Sequence, residues 1–238
     1  MTTSTDIIGR EPSTFKLIFT LAFAGLLSGL SIVTVYEWTL PIIEANNAKF
    51  LKAAVLDVVP NAVSMRKLIL REQKLHIAAD DDKSAGIYAA CDKHGKLVGY
   101  AISHEGPGFQ DTIVLIYGFD PISKSVVGMK VLESRETPGL GDKIYKDEDW
   151  VRQNFRTLQI APQINVIKPK PGQKKAPNEV DAITGATISA VAVANIINQA
   201  NKRWLPFLLP QDQLPPALTN VCQKTTQKPA KPLERISP

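Results

Sequence analysis

The feature that most constrains this chain is residues 17–36, LIFTLAFAGLLSGLSIVTVY, twenty consecutive positions without a charge. A helix of that length, at ~1.5 Å per residue, spans about 30 Å, the thickness of a bilayer's hydrocarbon core. Inside such a layer the backbone groups must bond within the segment, so the run is expected to be a helix. Lys16 precedes it, and Tyr36 and Trp38 follow as interfacial anchors. A cleaved secretion signal is the main rival. Its apolar region is about 7–15 residues and closes on a small-residue site. The present run is longer, and no Ala-x-Ala triplet follows it.

The expectation is therefore a short cytoplasmic segment, 1–16, and an uncleaved transmembrane helix, 17–36. Arg10 and Lys16 lie before the helix, whereas residues 37–48 carry only Glu37 and Glu44. Basic flanks stay in the cytoplasm, which puts the rest of the chain outside. Gly25 and Gly29 form a GxxxG pattern that lets a second helix approach closely.

A pI near 9.1 invites a nucleic-acid reading. The excess charge, however, is confined to two proline-rich stretches. Residues 168–179 hold four lysines against one acid, and residues 202–238 hold six basic residues against two acids. The remainder is slightly acidic. A solvated linker at 168–179 and a Pro-rich tail at 205–238 account for this pattern. The linker has no interleaved aromatics of the kind that stack on bases, so no nucleic-acid partner is expected. Two cysteines cannot form a four-Cys zinc site or ligate an iron–sulfur cluster. Cys91 and Cys222 could pair in an oxidising compartment, but Cys91 falls in an expected strand and Cys222 in the tail, so two free thiols are the expectation.

Between these segments the pattern reads as α+β. Residues 42–58 have helical spacing and stop at Val59-Pro60. From Lys67 to about Ser134 short β-rich runs alternate with turn signals. The runs 86–91 and 97–103 flank Asp92–Lys96; the runs 112–119 and 125–132 flank Asp120–Ser123. An antiparallel meander follows from that order. Short and long helices are expected at 148–155 and 189–204. The folded part is thus one outside domain, residues 37–204, with an antiparallel sheet and flanking helices behind the single membrane helix. His76, His94 and His104 are scattered, and no GxSxG or phosphate-cradling Walker loop occurs.

Two motifs carry the chemistry. The first, Asp181-Ala182-Ile183-Thr184-Gly185-Ala186-Thr187-Ile188-Ser189, stands directly before the last helix. A helix N-terminus presents unpaired N–H groups and the positive end of the dipole, which suits a phosphate. Gly185 and Ala186 let a ligand approach the backbone, and the hydroxyls of Thr184, Thr187 and Ser189 can donate to phosphate oxygens or accept a phosphoryl group. Simple capping of the helix by Asp, Thr and Ser is the bland alternative. The second motif is Glu133-Ser134-Arg135-Glu136-Thr137-Pro138-Gly139-Leu140-Gly141-Asp142-Lys143-Ile144. Its Pro-Gly pair suits a tight turn, its two glycines admit a flat ligand, and Leu140 can cover a ring face. An ordinary glycine turn is the alternative here.

ETPGLGDKI followed by DAITGATIS resembles the flavin-binding domain of the G-type subunit of Rnf-type electron transport complexes. It is similar also to the C-type subunit of the sodium-pumping NADH:quinone reductase. The resemblance covers roughly residues 15–204; the lysine-rich stretch and the tail depart from it. It implies FMN joined through its phosphate to the last threonine of the (S/T)GAT motif, here Thr187. Asp181, Thr184, Gly185 and Ala186, with Glu136, Thr137, Pro138, Gly139, Leu140 and Gly141, would then shape the site. It implies a redox relay without a catalytic triad: an electron-transfer subunit of an ion-translocating oxidoreductase complex of the ferredoxin:NAD type. Its partners would be the other subunits of that complex and a separate FAD-dependent flavin transferase. The alternatives are the C-type subunit of a sodium-pumping NADH:quinone reductase, or a membrane-anchored module that holds a phosphorylated ligand without redox chemistry.

Overall fold

The computed structural model describes residues 13–79, 82, 84–168, 175–208 and 221–222. Most of the expected N-terminal segment, the middle of the basic linker and most of the tail lie outside the described residues.

The apolar run lies in one helix, α1 (Thr14–Val58), 45 residues long. It is long and apolar enough to cross a membrane. The expected helix over 42–58 is its continuation, not a separate element. Pro41 lies inside it and withholds a single backbone N–H, which the bonds of the neighbouring turns outweigh. Packing divides the chain after Phe50 into two units. In the first unit the large apolar side chains, from Phe15 to Ile43, stay exposed, as lipid-facing residues would be.

The second unit is built on a seven-stranded sheet. Its strands are β1 (Ser64–Arg71), β2 (Lys74–Ile77), β3 (Gly86–Cys91), β4 (Leu97–Pro107), β5 (Thr112–Asp120), β6 (Ser125–Glu133) and β7 (Leu158–Gln159). The order is β2-β1-β3-β4-β5-β6-β7, and every pair is antiparallel. The turns expected from sequence hold two of its hairpins. Asp92 Oδ1 accepts from the N–H of His94 and Lys96, and Gly95 sits at positive φ. Asp120 accepts from the N–H of Ile122 and from the Ser123 hydroxyl. A second, parallel pair, β8 (Asn165–Ile167) with β9 (Glu179–Asp181), brackets the basic stretch. Short helices α2 (Lys143–Lys146) and α3 (Glu148–Phe155) precede β7, and α4 (Thr187–Leu208) follows β9.

Each face of the sheet has its own cover. On one face α4 buries Ala190, Val193, Ala194, Ile197, Ala200 and Trp204, a stripe at i, i+3, i+4, i+7, against Ile102, Leu115 and Tyr117. On the other, the last turns of α1 bury Ala54, Val55 and Val58 against Ala90, Ala101 and Ile116. Backbone comes very close there. Gly118 pairs with Gly128 across β5 and β6, and a Cβ at either position would overlap the Val58 carbonyl.

Two expectations for the C-terminal half need correction. Residues 175–179 of the supposed linker belong to the fold: Lys175 pairs with Asp181 at 3.0 Å, and the Pro177 carbonyl accepts from Gln159 N. Cys91 and Cys222 are not free thiols but form a disulfide, with Val221 fully buried in the main core. The tail expected from residue 205 is shorter than its composition suggests: α4 runs on to Leu208, and Cys222 lies at the β3–β4 turn. A cross-link that closes a loop of this length typically stabilises by about 2–4 kcal/mol. Cys222→Ser, or reduction, should lower unfolding stability by that order in a denaturant titration of the full chain.

Candidate functional site

The two motifs meet at one place. After β6 the chain makes a turn in which Leu140 N donates to Thr137 O at 3.1 Å. Pro138 and Gly139 occupy its central positions, with Gly139 at φ 78°, the arrangement a type II turn requires. Asp142 follows the turn. It is buried, bonds Lys146 Nζ at 2.6 Å, and is held below the usual carboxylate range by that lysine and by the Gly139 N–H.

The second motif closes β9 onto α4. Gly185 lies at φ 83°, and Ala186 N donates back to Ile183 O. The first α-helical bond shown runs from Ala190 N to Ala186 O. Thr187, Ile188 and Ser189 therefore form the open first turn, whose N–H groups have no partner inside the helix. No acid occupies that turn. Thr187 Oγ1 donates to Ile183 O at 3.3 Å, a long bond that leaves the oxygen's lone pairs free.

A cleft of ≈ 310 Å³ opens between the loops. It is lined by Phe109, Thr137, Leu140, Gly141, Gly185, Ala186, Thr187, Ile188 and Ser189. Three large apolar side chains on its walls stand well exposed: Phe109 at 64%, Ile188 at 57% and Leu140 at 49%. Of the residues singled out from sequence, Thr137, Leu140, Gly141, Gly185, Ala186 and Thr187 line the cleft. Thr184 contributes its carbonyl, which accepts from Lys143 Nζ at 2.9 Å. Pro138 and Gly139 form the outer turn.

Asp181 and Glu136 are differently employed. The Asp181 carboxylate is paired with Lys175, and its backbone binds Asn154 and Trp150, so it braces β9 against α3. Glu136 is only 4% exposed and lies beneath the cleft. Its Oε2 accepts from Ser189 Oγ at 2.5 Å, and its Oε1 accepts from Phe109 N at 2.9 Å and Gln110 N at 3.0 Å. Burial pushes its pKa up, but the Ser189 hydroxyl and the backbone N–H groups outweigh that and hold it below the ordinary value.

Phe109 escaped the sequence reading. It sits at the tip of Gly106-Pro107-Gly108-Phe109, where β4 turns into β5. Glycine and proline flanking an exposed aromatic at a loop tip was the available signal.

The chain is similar to known proteins. The FMN-binding domain family matches residues 108–202, which contain both motifs and Phe109. The chain is 32% identical to the G-type subunit of the ion-translocating oxidoreductase complex of Vibrio vulnificus over 187 residues, 76% of this chain and 82% of that one. It is 30% identical to the protein of the same name from Haemophilus influenzae over 192 residues, covering 79% and 88%. The crystal structure of the C-type subunit of the Na(+)-translocating NADH-quinone reductase from Parabacteroides distasonis has the same fold, with a TM-score of 0.54 over 71% of this chain and 94% of that one at 18% identity. The site thus belongs to an FMN-binding domain. More narrowly, the chain is a member of the G-type subunit family of ion-translocating oxidoreductase complexes.

Because the pKa of Glu136 is depressed on folding, its contribution is complete above the unfolded value, about 4.5, and is lost as pH falls through the folded value. Glu136→Gln should cost about 2 kcal/mol at pH 7, since it weakens charge-assisted bonds to three donors. The difference from wild type should shrink below about pH 4.5 in urea titrations across pH.

Proposed function

We propose that this chain is the flavin-carrying electron-transfer subunit of a membrane-bound ion-translocating oxidoreductase of the ferredoxin:NAD type, with FMN joined through its phosphate to Thr187. One observation carries the reading: the Thr187 hydroxyl stands in the acid-free first turn of α4, on the wall of a cleft that both motifs line. The residues fit the group. A helix N-terminus supports a phosphate. Gly185, at positive φ, keeps that approach free of a side chain. Phe109, Leu140 and Ile188 offer apolar surface to a flat ring.

Attachment would exchange the phosphoanhydride bond of FAD for a phosphoester to the threonine. A bond forms from Thr187 Oγ1 to the FMN phosphorus of FAD, the bond to AMP breaks, and AMP leaves. The hydroxyl proton passes to a separate FAD-dependent transferase. When bound, the flavin supplies one- and two-electron exchange. The chain itself attaches it, orients it and covers one side of it. A covalent bond also prevents an open-walled site from losing its carrier.

The other subunits of the complex are the partners. The domain lies on the periplasmic side of the inner membrane, with the N-terminus in the cytoplasm. Arg10 and Lys16 before α1 support that orientation, and so does the Cys91–Cys222 disulfide, because such bonds persist in oxidising compartments.

The test is co-production of the full chain with its transferase, followed by denaturing electrophoresis. Flavin fluorescence should migrate with the wild-type chain and be absent from Thr187→Ala. Fluorescence that persists in Thr187→Ala would remove Thr187 as the attachment point. A colourless wild type would favour the non-redox ligand module.

A further inference from the structure

Lys143 opens α2 directly after the Pro-Gly turn, and it faces the first turn of α4. Its Nζ donates to the Thr184 carbonyl at 2.9 Å, and it lies 3.4 Å from the point where a Cβ on Gly185 would stand. Three other lysines are paired with carboxylates. Lys146 pairs with Asp142, Lys175 with Asp181, and Lys130 with Asp57. Among the described residues no carboxylate forms an ion pair with Lys143.

The carboxylate closest in chemical logic, Glu136, is committed on both oxygens to Ser189, Phe109 and Gln110. The first turn of α4 has no acid either. An ammonium and the positive end of a helix dipole therefore share one corner of the cleft, and the Glu136 carboxylate beneath it already has both oxygens engaged. That combination is unfavourable in the bare chain and becomes favourable once an anion arrives.

We propose that Lys143 is the counter-ion of the flavin phosphate, both when the transferase delivers it and in the finished threonyl phosphodiester. This rests on the assignment of Thr187. An ammonium has three donors, and the Thr184 carbonyl takes one, which leaves two for phosphate oxygens. The Thr184 bond holds the lysine at the site, so little side-chain freedom remains to be lost on binding. Lys143 is a positioning residue: it touches the phosphate, not the ring, and should leave the flavin's redox behaviour alone.

The experiment uses the full chain in detergent, with FAD and a limiting amount of transferase. Flavin incorporation is followed by in-gel fluorescence, and thermal unfolding is measured with and without prior flavinylation. Lys143→Met should slow incorporation about tenfold, the scale of a lost charge-assisted hydrogen bond, and Lys143→Arg should restore most of the rate. The apo form of Lys143→Met should melt no lower than apo wild type, because an unpaired cation has been removed beside a helix N-terminus. Its gain in melting temperature on flavinylation should be smaller than that of wild type.

Wild-type incorporation rates in Lys143→Met would overturn the proposal. So would an apo form destabilised as much as the loaded one, since that marks the lysine as a mere strap between loops. Failure of the wild-type chain itself to take up flavin would instead strike the Thr187 assignment.

Discussion

The site depends on one buried carboxylate. Glu136 belongs to the loop after β6, yet its oxygens are spent on the tip of the β4–β5 turn and on the third residue of α4. Three segments far apart in sequence are thereby set at fixed distances. An ionised group this deep is tolerated only because its acceptors are filled by strong donors. Gly141 shows how tight the arrangement is: a Cβ there would run into the Glu136 carboxylate and the Ser189 hydroxyl. Thr137 adds a further tie, its hydroxyl donating to Gln110 at 2.7 Å. The cleft above is the space these constraints leave open.

Much of the scaffold was legible in the sequence because local chemistry and tertiary context agree. β3 has the bounds read from the pattern of small and β-branched residues, and α3 spans the expected 148–155. The Asp-led turns supply their own hydrogen bonds, so their positions needed no knowledge of the rest of the molecule. The motifs were legible for the same reason: a Pro-Gly turn and a Gly-Ala approach to a helix start are local statements. β8 and β9 were not. Three residues each, they pair in parallel across the basic stretch, and nothing local announces such a partner.

Side-chain direction was the other hidden quantity. Asp181 precedes a helix and looks like a site or capping residue, but Lys175 claims its carboxylate. Glu136 reads as a pocket residue and lies under the pocket. Cys222 sits beyond a proline-rich run, where composition argues for tail, yet Val221 beside it is fully buried. In each case the decisive partner is remote in sequence or comes from a stretch whose composition points elsewhere. Charge showed the same effect. A global excess of basic residues says little here, whereas the placement of one lysine, Lys143, beside Thr184 and Gly185 has a specific meaning.

The disulfide has a consequence for the integrity of the molecule. Cys91 and Cys222 enclose nearly the whole of the domain after β3, including Phe109, both motif loops and Thr187, in one covalent ring. A single backbone cut anywhere within that ring opens it without releasing a fragment. Whatever is attached at Thr187 stays joined to the helix near the N-terminus after such a cut, and it is freed only when the sulfurs are also reduced. The domain is in this way protected against proteolytic shedding as well as against unfolding.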